Sequence, residues 1–158
     1  MTIVRTALCL ALLFAVAHVH AQSRPHTPAP GSPERQAVCD AARSFVVGKY
    51  ATGQLPQPIV FRIDHIAVQD PYSYFEATPR FKDGSYVPPN LIADIAYNLC
   101  LKRQAGRWSV IVDLSRSDVP DAAEVQAIKQ RLPRDFPLAV FSQTWRDLLG
   151  NKAVQLRE

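Results

Sequence analysis

The sequence is poor in the residues that carry most enzyme chemistry. Of its four histidines, His18 and His20 lie in the N-terminal apolar segment and His26 follows it closely, which leaves His65 for a folded domain. Nucleophilic catalysis needs a serine or cysteine beside a base that a third group orients. No G-x-S-x-G sequence is present either. A catalytic triad is therefore not expected.

Sequences that bind metals, nucleotides or nucleic acids are also missing. A zinc site needs three or four converging ligands, and the chain has neither a CxxC pair nor a histidine cluster. Its six glycines stand singly rather than in a phosphate-binding loop. The formal net charge of +4 is spread along the chain and makes no basic patch. We expect no metal, no cofactor and no nucleic-acid partner.

The N-terminus does carry the features of an export signal. The apolar run ALCLALLFAVAHV follows Arg5, and Val19 and Ala21 occupy the small-residue positions that a signal peptidase reads. The alternative is a membrane anchor, but the run falls short of the roughly 18 to 20 apolar residues that span a bilayer. We predict a signal peptide over residues 1–21, a periplasmic or secreted location, and no transmembrane segment in the mature chain.

Removal of the signal peptide leaves two cysteines, Cys39 and Cys100. An oxidising compartment favours a disulfide over two thiols. The long loop that this disulfide would close gives about 4 kcal/mol of stabilisation in the chain-entropy model. The alternative is a metal or redox pair, which would need a CxxC spacing that is not there. We predict a disulfide between Cys39 and Cys100.

The mature chain divides into a leader, one domain and a tail. Residues 22–32, QSRPHTPAPGS, are rich in proline and lack apolar periodicity, which predicts a flexible leader. Residues 33–150 suit a single domain with one core, and residues 151–158 form a C-terminal tail. The domain opens with a helix that Ser32 caps and that ends near Gly53.

Alternating apolar residues predict about four antiparallel strands after the helix. In PIVFRIDHIAVQ the apolar parity changes between Phe61 and Ile66, so we predict a bulge near Asp64 and His65. YSYFEAT forms the second strand after an Asp-Pro turn.

A two-residue turn at Ala105 and Gly106 joins the last two predicted strands. It puts three apolar pairs on one face: Leu101 with Val110, Leu99 with Val112, and Tyr97 with Leu114. It puts two further pairs on the other face: Cys100 with Ile111, and Asn98 with Asp113. A disulfide would draw the first helix toward Cys100, away from the heavier apolar face. Either Cys39 reaches round an edge of the sheet, or both faces are covered.

Two apolar stripes at helical spacing end the domain. They lie in DVPDAAEVQAIKQRLP and PLAVFSQTWRDLLG and stop at Pro133 and Gly150. The predicted fold is α+β: an N-terminal helix packed on a roughly four-stranded antiparallel sheet, followed by two short C-terminal helices.

Four segments resemble a group of small exported proteobacterial proteins that pair a leading helix with an antiparallel sheet. They are AVCDAARSFV, IVFRIDHIAVQDPYSYFEATP, KDG and CLKRQAGRWSVI, within residues 34–114. Members of that group often have Trp-Ala where Tyr72-Ser73 stands here. The resemblance implies export and this fold, and it carries no activity and no functional residue. In outline the order is also similar to cystatin-like and nuclear-transport-factor-like folds, which host both inhibitors and enzymes.

The hairpin between Asp70 and Tyr86 is the predicted recognition surface. Tyr72 and Tyr74 share their strand parity with Glu76, a residue that normally seeks water, so both tyrosines are candidates for exposed anchors. The alternative is that they lie under a C-terminal helix and belong to the core. A tight turn at Asp83-Gly84 would make Phe81 and Tyr86 cross-strand partners and would place Arg80 and Lys82 at the charged rim.

These features favour a non-catalytic binding module, such as a periplasmic inhibitor, an immunity-type protein or an envelope accessory factor. The expected partner is an envelope protein or a cell-wall component, and the expected state is a monomer or weak dimer. One alternative is an enzyme or ligand carrier with a sheet-helix cavity lined by Asp94, Asn98 and Asp113, where burial could raise the pKa of an acid. Another is a structural protein with no defined ligand.

Overall fold

A computed structural model describes residues 24–93, 95–116 and 118–150. The elements, in chain order, are α1 (Pro33–Tyr50), β1 (Ile59–Gln69), β2 (Tyr72–Phe81), β3 (Tyr97–Gln104), β4 (Arg107–Asp113), α2 (Ala122–Arg131), a 3-10 helix (Leu138–Val140) and α3 (Gln143–Leu149). The strands form one antiparallel sheet in the order β1-β2-β3-β4. The α+β prediction is confirmed. The predicted signal peptide and C-terminal tail lie outside the described residues.

No helix in the described ranges combines the length and the apolar content that a bilayer crossing requires.

Helix α1 starts and packs as its sequence predicts. The Ser32 hydroxyl accepts a hydrogen bond from the Arg35 amide, which satisfies one of the unpaired donors at the helix start. Val38, Ala42 and Val46 recur every four residues and are fully buried. They place one face of α1 on the sheet.

The sheet is covered on both faces, and each face has its own core. The α1 side buries a first cluster that includes Val38, Val46, Ile66, Val68, Phe75, Ala77, Leu99 and Leu101. The opposite side buries a second cluster, contributed by the sheet and the C-terminal elements, that includes Tyr72, Tyr74, Cys100, Val112, Ile128, Phe136, Phe141, Trp145 and Leu149. Of the two arrangements that the sequence left open, the structure has the one with both faces covered.

The structure contradicts the predicted disulfide. Cys39 and Cys100 are both free thiols. Cys39 lies on α1 and packs at the margin of the first cluster, whereas Cys100 points into the second cluster on the other face. Because the sheet separates the two side chains, their sulfur atoms cannot meet.

The predicted bulge in β1 is confirmed. Ile63 pairs with Ala77 and His65 pairs with Glu76, so Asp64 is the extra residue. The bulge turns His65 toward the second face, where its Nε2 lies 2.9 Å from the carbonyl oxygen of Val140. His65 therefore contacts the 3-10 helix and does not pair with its neighbour Asp64.

The turn between β3 and β4 is as predicted, but the register beyond it is not. Ala105 and Gly106 both have positive φ angles, 48° and 77°, and Leu101 pairs with Val110. The register then shifts between Cys100 and Leu101. As a result Cys100 pairs with Val112 and Leu99 with Asp113, so the predicted pairs of Leu99 with Val112 and Asn98 with Asp113 are wrong.

Part of the predicted leader lies against the edge of β1. His26 and Val68 exchange two backbone hydrogen bonds of 2.9 and 2.8 Å. Pro28 is buried, and its carbonyl oxygen accepts a hydrogen bond from Arg35 Nη1 at 3.2 Å. His26 Nε2 also lies 2.8 Å from Glu34 Oε2. Composition alone did not anticipate these contacts.

Candidate functional site

The two tyrosines predicted as exposed anchors are buried. Tyr72 is 2% exposed and Tyr74 is 0% exposed. Tyr72 packs on Phe136 with ring centroids 4.9 Å apart, and Tyr74 packs on Phe141 with centroids 4.7 Å apart. Both tyrosines do lie on the face opposite Phe75, as the alternation along the strand predicts, but the C-terminal segment covers that face. The exposed-anchor prediction is therefore wrong, and the alternative that they belong to the core is correct.

Tyr74 belongs to a buried polar layer between the sheet and α3. Its hydroxyl donates to Asn98 Oδ1 at 2.6 Å and lies 3.1 Å from Glu76 Oε2. The indole nitrogen of Trp145 donates to the same Asn98 oxygen at 3.1 Å. Burial raises the pKa of Tyr74 far above its usual value, and the charge of Glu76 raises it further. The phenol therefore stays protonated and serves as a hydrogen-bond donor between packed layers.

Asn98 and Asp113, two of the three residues predicted to line one cavity, do not lie together. The shift in β4 register puts Asp113 opposite Leu99, on the α1 face, whereas Asn98 faces Tyr74 and Trp145 on the other. Asp94 lies outside the described residues. The two described members are thus separated by the sheet and cannot act on one substrate.

Asp113 instead ties α1 to the end of β4. Its side chain is 8% exposed, and its Oδ2 accepts hydrogen bonds from Lys49 Nζ at 2.5 Å and from the Tyr50 hydroxyl at 2.6 Å. The Ser115 amide donates to Oδ1 at 2.9 Å. Burial acts to raise the pKa of Asp113, but these hydrogen bonds outweigh it and hold the pKa below the usual value. The carboxylate is charged, fully engaged and structural.

Beyond the part of the sheet that β3 extends lie the end of β2 and the start of β1. Strand β3 pairs with β2 only as far as Ala77, so no residue of β3 pairs with the part of β2 that follows. There Val60 pairs with Arg80 and Arg62 with Thr78. Arg62, with its side chain 60% exposed, lies 3.4 Å from Asp64 in an ion pair.

The turn that closes β2 exposes a tyrosine that sequence reasoning had assigned to a cross-strand pair. Phe81 donates its amide to the Ser85 carbonyl oxygen at 2.9 Å, which makes the loop one residue longer than predicted. Tyr86 therefore pairs with Arg80 rather than with Phe81. Phe81 is 6% exposed and Tyr86 is 67% exposed. The predicted Phe81–Tyr86 pair is wrong because the loop has an extra residue.

Arg80 lies over the exposed tyrosine ring. Its guanidinium carbon is 3.7 Å from the centre of the Tyr86 ring, and its Nη1 donates to the Pro79 carbonyl oxygen at 2.8 Å. Val87, the next residue, is 5% exposed and belongs to the first cluster. Phe81 follows Arg80 in the chain and Val87 follows Tyr86, so each residue of the stacked pair is next to a core residue. In the sequence, apolar Val87 next to Tyr86 is the signal that could have predicted an exposed Tyr86, because neighbouring residues of an extended chain point to opposite sides.

We call Arg62, Arg80, Lys82 and Tyr86 the hairpin-tip surface. Three of the four are cationic, and Lys82 is exposed in the turn. The acidic residue of the turn, Asp83, accepts hydrogen bonds from the hydroxyl and the amide of Ser85, which lower its pKa and keep it ionised. Of the predicted site residues, Arg80 and Lys82 are on this surface, and Tyr72 and Tyr74 are not.

Within the described ranges, no group of three or more His, Cys, Asp and Glu side chains could hold a metal ion. The chain matches no family model, and no curated protein or solved structure is significantly similar to it. The candidate site therefore rests on its own geometry.

Proposed function

We propose that the protein is an exported, non-catalytic binding module and that its hairpin-tip surface holds an acidic partner in the envelope. The observation that carries the proposal is Tyr86, which is 67% exposed although it lies beside a closed core. Export is supported by the signal-like run in residues 1–21. The partner is an acidic envelope protein or a carboxylate-bearing cell-wall component, which suits an inhibitor, an immunity-type protein or an accessory factor.

The pairing of Arg80 with Tyr86 makes this surface suitable for binding. Tyrosine and arginine are enriched among the residues that dominate binding energy. A cation stacked on an aromatic ring gains roughly 0.5 to 1 kcal/mol at an exposed site. The stack, with its flanking core residues, fixes both side chains before a partner arrives, so less conformational entropy is lost on binding.

The charge of the surface selects for an acidic partner. Arg62, Arg80 and Lys82 supply three cations, whereas the local acids are Asp64, already paired with Arg62, and Asp83 in the turn. A guanidinium offers a flat fork of donors that matches a carboxylate. Attraction between exposed charges weakens as salt is added, so binding is expected to fall with ionic strength.

The test is a binding assay with the immobilised chain from Gln22 onward against two separate materials, the envelope-protein fraction and purified cell-wall sacculi. Tyr86→Ala is expected to weaken binding by about 2 kcal/mol, as loss of an interface anchor does. The free energy of unfolding should fall by no more than about 1 kcal/mol, the contribution of the lost stack with Arg80, because the side chain is otherwise exposed. The two materials distinguish a protein partner from a cell-wall partner.

Val119→Ala is the matched control, since Val119 is 76% exposed and outside this surface. It should leave binding unchanged. Arg80→Ala combined with Lys82→Ala should weaken binding and flatten its dependence on salt. Retention of every ligand by Tyr86→Ala, or an equal loss in Val119→Ala, would contradict the proposal.

A further inference from the structure

A groove of about 630 Å³ lies between the end of α2 and the end of α3, away from the hairpin tip. Its described lining residues are Lys129, Gln130, Leu132, Pro133, Arg134, Phe136, Leu138 and Leu149. That volume is in the range of sites that hold small molecules. The groove is independent of the hairpin-tip surface and of the function proposed for it.

The floor of the groove is apolar and firmly held. Phe136 is 6% exposed, and its ring packs against Tyr72 at 4.9 Å and Phe141 at 5.3 Å. Leu149 is 3% exposed and belongs to the same cluster. The Phe136 amide donates to the Pro133 carbonyl oxygen at 3.0 Å, which fixes the loop that forms one wall. A ligand therefore meets a surface that is largely formed before it binds.

One wall exposes a large apolar side chain. Leu138 is 46% exposed. It lies in the 3-10 helix, where its backbone carbonyl accepts the Phe141 amide at 3.2 Å. Its side chain lines the groove, so a ligand that covers it would remove apolar surface from water.

The charges at the groove have one sign. Lys129 and Arg134 line it, and none of the described lining residues is acidic. The acid next to Arg134 in the chain, Asp135, accepts a hydrogen bond from the Tyr72 hydroxyl at 2.8 Å. The cation of this rim that an anion complements is exposed Arg134, and the complement of the floor is a hydrocarbon chain.

We propose that this groove binds a single-chain amphiphile with an anionic head, such as a medium-chain carboxylate. The chain lies on Leu132, Phe136 and Leu138, and the carboxylate lies at the basic rim beside Arg134. Each methylene that the groove covers should tighten binding about fourfold, from 0.8 kcal/mol for each buried methylene.

The probe is dodecanoate below its micelle concentration, titrated into the full mature chain by calorimetry. We expect one bound molecule per chain, weaker binding of octanoate, and weaker binding of dodecyltrimethylammonium, which has the same chain and the opposite charge. Arg134→Gln should weaken dodecanoate roughly two- to fivefold, the range for an exposed ion pair, and should not weaken the cationic analogue, because the variant removes a like charge.

Leu138→Ser should weaken every chain length, whereas Val119→Ser should not, because Val119 is 76% exposed but does not line the groove. Both sites are exposed, so melting temperatures should stay close to that of the wild type. Equal binding of the two head groups, equal loss in both serine variants, or several molecules bound per chain would overturn the proposal.

Two other occupants are separate outcomes of the same experiment. If only a chain lacking residues 151–158 binds dodecanoate, the tail is the occupant and the proposal fails. If the chain forms a dimer that Leu138→Ser dissolves and that dodecanoate does not disturb, a second copy is the occupant. If the wild-type chain binds the envelope material through its hairpin-tip surface but does not bind dodecanoate, the groove proposal fails and the proposed function stands.

Discussion

Replacement of Asn98 by alanine should destabilise the fold more than removal of the Tyr74 hydroxyl from the same buried polar layer. Asn98 is 6% exposed, and its side-chain oxygen accepts hydrogen bonds from both Tyr74 and Trp145. Its side-chain nitrogen donates to the Ala96 carbonyl oxygen at 3.1 Å. One amide thus satisfies donors from β2 and from α3 and connects the C-terminal helix to the sheet.

The magnitude follows from what each donor can do once Asn98 is gone. The Tyr74 hydroxyl keeps Glu76 Oε2 at 3.1 Å as a second acceptor. The Trp145 indole has no second acceptor among its described contacts and is 5% exposed. An unsatisfied buried donor costs about 1 to 3 kcal/mol, and the small cavity adds to that. We expect Asn98→Ala to cost about 2 to 4 kcal/mol in the free energy of unfolding.

Tyr74→Phe removes a donor without stranding one, so it should cost only about 1 kcal/mol, the net value of one hydrogen bond. Asn98 Oδ1 still accepts from Trp145 in that variant. In the double variant the two costs should not add, because both changes remove the same contact. Asn90→Ala is the matched control, since Asn90 is exposed and should change stability by less than about 0.5 kcal/mol.

The assay is urea unfolding followed by tryptophan fluorescence, because Trp145 is itself part of the layer. The midpoints should shift in the order Asn90→Ala, Tyr74→Phe, Asn98→Ala at constant slope, which marks a change in stability alone. A cost for Asn98→Ala that is no larger than that of Tyr74→Phe would refute the reasoning about stranded donors.

Two further predictions concern Asp113 and the cysteines. The folded-state pKa of Asp113 lies below 3.8, so its contribution is complete above that pH and is lost as pH falls through the folded value. Asp113→Asn should cost about 1 to 3 kcal/mol at pH 7, and urea-unfolding curves of variant and wild type should converge well below pH 3.8. Burial raises the pKa of both thiols, so a thiol reagent should modify half-buried Cys39 slowly in the native mature chain and Cys100 only in urea. If no thiol reacts in urea without reductant, the two cysteines form a disulfide and the free-thiol assignment is wrong.

Structural features that depend on neighbouring residues could be predicted from the sequence, whereas features that depend on contacts between distant segments could not. The β1 bulge was predictable because polar Asp64 and His65 interrupt the alternation of apolar residues. The shift in β4 was not, because residues 110–112 are all apolar and no change of parity marks it. A one-residue shift sends every following side chain to the other face, which separated Asp113 from the predicted candidate site.

The disulfide prediction failed for a related reason. An even number of cysteines in an exported chain predicts pairing by compartment, but it contains no information on which sheet face each thiol occupies. The register had already placed Cys100 on the face away from the heavier apolar pairs. The predicted position of Cys100 on that face was correct, and it is incompatible with a disulfide to α1. The structure buries Cys100 under the C-terminal elements, whereas Cys39 packs on the other face of the sheet.

The side chains along one face of β2 change from aromatic to polar where the C-terminal elements no longer pack on the strand. Tyr72 and Tyr74 lie under the C-terminal elements, and Glu76 accepts a hydrogen bond from the Tyr74 hydroxyl. Thr78 and Arg80 follow on the same face of the strand. The change from aromatic to polar residues at Glu76 therefore matches the change from covered to uncovered sheet. Tyr86 breaks this pattern, since an aromatic ring stands where the row has become polar. Core packing gives no reason for that ring, because Phe81 and Val87 already fill the adjacent core positions, and its stacking with Arg80 is the contact that favours a role in binding.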